Sequence, residues 1–330
     1  MPLRLPDKWL WDFWFARDGS DYHIFYLQAN RSLKEEQLRH WNVSIGHAVS
    51  QDLAQWEILP DALSASPYTM GDSDEPFDSY TTWTGSIIRH NQQWRMLYTG
   101  TMRSEKGLIQ RIGLASSDDL INWRKHEQNP VIVTDPRWYE LLDLDLWHDQ
   151  AWRDPYVYFE PGAGVFHIFI TARVKDGEPD ACGVIAHVVS NDLIHWEVKP
   201  PVTTPGEFGH MEVPQVVHIQ GHYYLLFSVA GVHHSASRRT RLNGGQVTGT
   251  HYLVADSLEG PYKYLTDQFM VGDVIGSYYS GKLVESPNGS WHFMAFRNMT
   301  ADGQFVGEIT DPFPVAIESD GRLIVDIEYP

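Results

Sequence analysis

A turn motif that returns at near-constant intervals constrains this chain more than any other feature. SQDLAQW (Ser50 to Trp56) recurs as SDDLINW (Ser117 to Trp123) and SNDLIHW (Ser190 to Trp196), and a degenerate fourth copy, DSLEGPY, runs from Asp256 to Tyr262. Each copy follows an alternating apolar segment: IGHAVS, IGLASS, IAHVVS or HYLVADS. Period-two alternation over that length reads as a half-buried strand. The Asp-Leu step reads as a tight turn in which Asp bonds its own backbone, and the Trp opens the next strand. Aromatic strands repeat in step with the turns, beginning at Tyr22 (YHIFYLQA), Trp94 (WRMLYTG), Phe166 (FHIFITAR), Tyr223 (YYLLFSVA) and Trp291 (WHFMAFRN). Five units of roughly 65 to 70 residues suit four-stranded blades with long loops. The expected fold is therefore all-β: a single-domain five-bladed β-propeller over residues 1–330, with the active site in the central funnel. A jelly-roll sandwich leaves the repeat unexplained. Helical patterns are confined to Leu33 to Leu38 and Leu141 to Leu146, both short.

Three acidic residues share a place in this repeat. Asp12, Asp154 and Glu212 precede the aromatic strands at Tyr22, Phe166 and Tyr223 by similar intervals. Trp83 and Tyr279 hold the corresponding places before Trp94 and Trp291. Alone, Asp154 reads as part of an Arg-Asp-Pro turn and Glu212 as exposed, whereas Asp12, set between Trp11 and Phe13, is not a typical solvated carboxylate and reads equally as facing water or not. Together they read differently, because innermost propeller strands line the channel and would bring the three carboxyl groups to one floor. Converging carboxylates are what glycoside-bond chemistry needs. Trp11, Trp14 and Trp83 are candidates to wall a sugar subsite, or else blade-core residues. Arg153 offers a planar fork for a carboxylate or sugar hydroxyl. His210 lies two residues before Glu212 on the same strand face, placed to tune an acid or meet a leaving group. Gln28 and Ser86 are further polar candidates, and His47 reads as structural.

Charge narrows the partners. A formal net charge of −18 over 330 residues argues against nucleic acid and anionic membrane surfaces and is compatible with a small neutral sugar. The single cysteine, Cys182, excludes an intrachain disulfide. No signal-peptide-like apolar run opens the sequence and no stretch is long enough to span a membrane, so a cytoplasmic location is expected. The 16 histidines show no zinc-ligand spacing, and neither a metal nor another cofactor is expected. Asp72, Asp74, Glu75 and Asp78 form an acidic loop that reads as solvated in preference to a Ca²⁺ site. The basic stretch from His233 to Arg241 reads as a solvated loop in preference to a phosphate site. Oligomeric state is left open.

Several blocks, in one order, resemble the β-fructosidase superfamily, the invertase-like and levansucrase-like glycoside hydrolases of families 32 and 68, relatives of the five-bladed arabinosidases of family 43. They are Arg153-Asp154-Pro155, Trp83-Thr84-Gly85-Ser86 with Leu97-Tyr98-Thr99-Gly100, the GHAVSQDLAQW block at Gly46 to Trp56, Glu212-Val213-Pro214, and Gly276-Ser277-Tyr278-Tyr279. The first acid departs from the invertase-like Asn-Asp-Pro-Asn-Gly pattern, since Trp11-Asp12-Phe13-Trp14 is closer to the levansucrase-like form. The carboxy-terminal β-sandwich of invertase-like enzymes is not expected here. The resemblance implies a retaining β-fructofuranosidase for sucrose or short fructo-oligosaccharides, with fructosyl transfer as a second outcome. It implies Asp12 as nucleophile, ionised, Glu212 as general acid/base, protonated near neutrality, and Asp154 as the stabiliser of the sugar. Two other readings compete: an inverting arabinofuranosidase or xylosidase on the same architecture, and a non-catalytic carbohydrate-binding propeller.

Overall fold

The structure, a computed structural model, describes residues 2–329. Five antiparallel sheets follow one another along the chain, each beginning with its innermost strand: Lys8–Asp18, Thr81–His90, Trp152–Glu160, Glu212–Ile219 and Tyr278–Glu285. In the first four sheets the strands pair in chain order, and the fifth carries Phe305–Ile309 as an extra strand on Trp291–Met299. This is the five-bladed propeller expected from the repeat. Leu3 pairs with Ile309, so the start of the chain is bonded to the last blade.

The turn motif has the same physical explanation in each of the first three blades. Asp52 accepts bonds from the backbone N–H groups of Ala54 and Gln55, Asp119 from Ile121 and Asn122, and Asp192 from Ile194 and His195. These bonds hold the intervening Leu53, Leu120 and Leu193 at φ values of 63°, 64° and 63°, a region costly for a branched residue without such support. Each leucine is buried in return. The Asp is thus the local determinant and the Leu the anchor that sets the turn on the blade.

The second strands carry the core. Ile24, Phe25, Met96, Leu97, Ile168, Phe169, Leu225 and Leu226 are fully buried. Two blades also share a polar device: His23 bonds His47, and His167 bonds His187, each between second and third strands. His47 is structural, as expected. Helix is confined to short pieces, among them Glu36–Trp41 and Ala236–Arg241. The first begins three residues later than the pattern suggested, and residues 141–146 form turns instead of a helix.

Every inner strand contains a bulge. The ladder slips between Trp11 and Phe13, between Trp83 and Gly85, around Asp154, between Glu212 and Gln215, and between Tyr279 and Lys282. Asp12, Asp154, Val213 and Ser280 there have φ of 21°, 59°, 51° and 54°. A bulge adds one unpaired residue and re-aims its side chain. That corrects the register read from the sequence. Asp12 and Asp154 are bulge residues, equivalent to Thr84, Val213 and Ser280. Glu212 stands one place earlier, equivalent to Trp11, Trp83, Arg153 and Tyr279.

Candidate active site

The bulges open onto one cavity of about 620 Å³, lined among others by Trp11, Asp12, Arg39, His40, Trp41, Trp83, Thr84, Asp149, Arg153, Asp154, Glu212 and Tyr279. The three acids therefore meet, although from two strand positions and not one. Asp154 is buried deepest. Its carboxylate accepts from the Thr171 hydroxyl (3.0 Å) and the Val213 N–H (3.1 Å), and its own N–H donates to Thr99 (3.0 Å). Glu212 is clamped between Arg153, whose Nη2 donates to Oε1 at 2.7 Å, and the Tyr279 hydroxyl, which donates to Oε2. Asp12 is the least supported, with the Thr84 hydroxyl at 3.4 Å. Lys282 closes the floor, donating to the Val213 and Pro214 carbonyls.

These environments push the acids apart. Burial, reinforced by Asp154 and Glu212, raises the Asp12 carboxyl to about 7. Burial also pushes Glu212 upward, but the Arg153 guanidinium and the Tyr279 hydroxyl outweigh it and hold the group below the usual carboxylate range. Asp154 is raised by burial, with Arg153 opposing. Burial lowers Lys282 to about 7, against the pull of Asp154 and Asp12. These shifts run opposite to the protonation expected from the sequence, since burial favours the neutral form of Asp12 and the Arg153–Tyr279 pair favours the ionised form of Glu212.

Arg153 organises this wall. Besides Glu212 it meets Asp149 at 3.2 Å, Gln110 at 3.0 Å and the His210 Nδ1 at 3.2 Å. Burial alone would favour loss of its proton, but Asp149, Glu212 and Asp154 hold it firmly charged. His210 sits behind Arg153, fully buried, and its Nε2 accepts from the Trp147 indole at 2.9 Å.

Four sequence candidates do not line the cavity, His210 behind Arg153 being one. Trp14 is core, stacked on Phe25. Gln28 turns to Ser44 and Asp61. Ser86 accepts the Val157 N–H and ties blade two to blade three. Trp11 and Trp83 do line the cavity, and the Trp83 indole donates to the His40 carbonyl at 2.9 Å. The stretch from His233 to Arg241 is solvated only in part: Ala236, Ser237, Thr240 and Arg241 are exposed, but its arginines are largely committed within the protein. Arg238 is fully buried and paired with Glu207, Arg241 pairs with Glu207 and Asp267, and Arg239 bonds the His234 carbonyl. Nor is the acidic loop uniformly solvated: Asp78 is buried against Lys125 and Tyr98, and Glu75 bonds Ser79 and two backbone N–H groups. Among the described residues His148, Asp149 and His210 lie close enough to hold an ion, but the His210 lone pair facing that space is taken by Trp147.

Sequence reading missed Asp149, Lys282 and the Arg39-His40-Trp41 run. Asp149, four residues before Arg153, carried the only local signal. The other residues come from a loop helix and a fifth-blade strand, where no repeat marks them.

A propeller whose funnel gathers three carboxyl groups, one clamped by an arginine, is the architecture of a glycoside hydrolase. Residues 13–306 match the sequence profile of the glycosyl hydrolases family 32 N-terminal domain, and the chain belongs to that family. It is 25% identical to an extracellular sucrase of Zymomonas mobilis, an alignment covering 98% of this chain and 82% of that protein. It is 29% identical over 189 residues to a bifunctional 6(G)-fructosyltransferase/2,1-fructan:2,1-fructan 1-fructosyltransferase of Allium cepa, matching 55% of this chain and 26% of that one. The chain thus spans about a quarter of the onion protein's length. Among solved structures, a Bombyx mori family 32 β-fructofuranosidase superposes with a TM-score of 0.71 at 21% identity, over 98% of this chain and 64% of the other. Levansucrase of Bacillus subtilis gives 0.74 at 15%, over 97% and 86%.

Proposed function

We propose that this protein is a retaining β-fructofuranosidase acting on sucrose or short fructo-oligosaccharides and passing the fructosyl unit to water or to a second sugar. The observation that carries the reading is the convergence of Asp12, Asp154 and Glu212 on one cavity, with Glu212 fixed by Arg153 and Tyr279. The names of the Z. mobilis sucrase and the A. cepa fructosyltransferase support the substrate class.

In this mechanism an Asp12 oxygen attacks the anomeric C2 of the fructosyl unit. The bond from C2 to the leaving oxygen breaks, and the proton of Glu212 passes to that oxygen. Ionised Glu212 then takes a proton from water or a sugar hydroxyl, whose oxygen attacks C2 and frees the Asp12 carboxylate. Asp154 accepts hydrogen bonds from sugar hydroxyls. The working state carries a single proton on the Asp12–Glu212 pair, placed on Glu212. That state exists only between the two apparent pKa values of the pair, so kcat/KM follows a bell with its basic limb near the value of about 7 seen for Asp12. A cytoplasmic setting, suggested by the lone cysteine, belongs to the same proposal; cell fractionation decides it, since the Z. mobilis relative is extracellular.

The deciding experiment is incubation with sucrose, kestose, levan and aryl arabinofuranosides, with Asp12→Asn as control. Fructose released by the wild type and not by Asp12→Asn is the expected result. Turnover of an arabinoside without fructose release overturns the proposal, and sugar binding without any hydrolysis points to a carbohydrate-binding propeller.

A further inference from the structure

Arg39 is a charged side chain with unspent donors in a nearly closed place. It is 8% exposed, lines the cavity, and comes from the short helix Glu36–Trp41 in the loop between the second and third strands of blade one. Its guanidinium lies over Phe305 at 3.9 Å and 5.6 Å from the Trp11 ring centre. Nη1 donates to the Glu36 carbonyl at 3.0 Å, the Nε–H is sealed off without a partner, and the accessible Nη2 makes no hydrogen bond among the described residues. No carboxylate among the described residues lies within 4.0 Å of it, in contrast to Arg153 beside it in the cavity. A buried donor left without an acceptor is destabilising, and guanidinium donors near charged or polar groups are usually committed. Such a group in a ligand cavity waits for the ligand's acceptor.

We propose that Arg39 is a substrate-reading residue of this funnel, whose free N–H groups take hydroxyl oxygens of the fructosyl unit above Asp12. The inference rests on the fructosidase reading and adds to it a contact from outside the blade repeat. The ligand is a neutral polyol and not a phosphorylated sugar: four carboxyl groups, Asp12, Asp149, Asp154 and Glu212, line the same cavity and repel a dianion. Stacking on Phe305 and Trp11 fixes the plane of the fork, so its direction is set before the sugar arrives.

The same cation acts on the acid pair. The charged groups facing Asp12 are Asp154 from blade three, Glu212 from blade four, Lys282 from blade five and Arg39 from the helix. Arg39 favours the ionised Asp12 and thereby the form with the proton on Glu212. Removing its charge drives the proton back onto Asp12, raises the basic limb of the pH profile and shrinks the working fraction.

The test is steady-state kinetics of fructose release from sucrose and kestose over about pH 4 to 9 for wild type, Arg39→Gln and Arg39→Lys, with folding checked by circular dichroism and melting. Arg39→Gln is expected to raise KM about 10-fold or more and move the basic limb up by about one pH unit. Arg39→Lys, keeping charge but losing the fork, is expected to restore the limb and leave KM raised. A folded Arg39→Gln with KM and limb unchanged overturns the proposal. A limb that moves while KM stays at the wild-type value overturns the contact with substrate. A wild type that releases no fructose from either sugar overturns the fructosidase reading itself, a different result from a wild type that works and an Arg39 variant that works equally well.

Discussion

Asp12→Asn should make this protein more stable above neutrality while abolishing turnover. In the wild type the Asp12 carboxyl is raised from an ordinary 3.8 to about 7. The sign follows from proton linkage: a carboxyl with a raised folded value binds its proton more tightly in the native state than in the unfolded chain. Its stabilising contribution is fully present below about 4 and is lost as pH rises through about 7. The difference of about 3 pH units, at 1.36 kcal/mol per unit, sets a ceiling of about 4 kcal/mol on the cost of ionising Asp12 in place. The partial opening of Asp12 to the cavity screens some of that charge, so about 2–4 kcal/mol is expected. Asparagine fits the same space without the charge and relieves Asp154 and Glu212 as well. For a chain of this size the gain corresponds to a rise in Tm of roughly 3–6 °C. Urea melts of both proteins at about pH 5 and about pH 8 isolate the effect, because the advantage of the variant must grow between them. Equal stability differences at the two pH values would refute the reasoning, since they would mean that Asp12 titrates no differently in the folded chain.

Other outcomes follow from particular contacts. Arg153→Lys keeps a charge but cannot hold Glu212, Asp149 and Gln110 together; fructose release should fall by about 100-fold, read in the same sugar panel. Gly85→Ala sets a methyl well inside contact distance of the Leu97 carbonyl oxygen across the ladder, and chemical denaturation should show a loss of about 2–3 kcal/mol. Asp119→Ala removes the acceptor for Ile121 and Asn122 that holds Leu120 at positive φ; a loss of about 1–2 kcal/mol is expected, with the sugar site unaffected.

The propeller was legible because its turns depend on one chemically distinctive residue per blade. Asp52, Asp119 and Asp192 must each stand two and three residues ahead of the N–H groups they bind, so the spacing survives in the sequence. The acids were legible as a group for the same reason, being tied to a repeat. Their register was not, because a bulge inserts one residue without changing composition or hydrophobicity, and the intervals before the aromatic strands vary by more than that. The directions of the carboxyl shifts were hidden as well: Tyr279 was visible as an inner-strand aromatic, but its hydroxyl bond to Glu212 depends on two blades meeting. Arg39, His40 and Trp41 lie in a connection with no period at all, and the path of that loop sets His40 and Arg39 against Trp11.

The bond between Leu3 and Ile309 has a consequence for how the protein comes into being. The chain is made in order, so Asp12 emerges 200 residues before Glu212, and Ile309, which clasps Leu3, emerges later still. During synthesis the first blade has no neighbour on one flank, and Trp9, which packs on Phe305 in the finished ring, stays uncovered. The ring therefore stays open until the fifth blade is made, and the shutting step joins the first blade to the fifth. Strand-edge capture by another nascent copy competes with it at that seam. The pairing of Leu3 with Ile309 is thus the contact that fastens the first blade to the last.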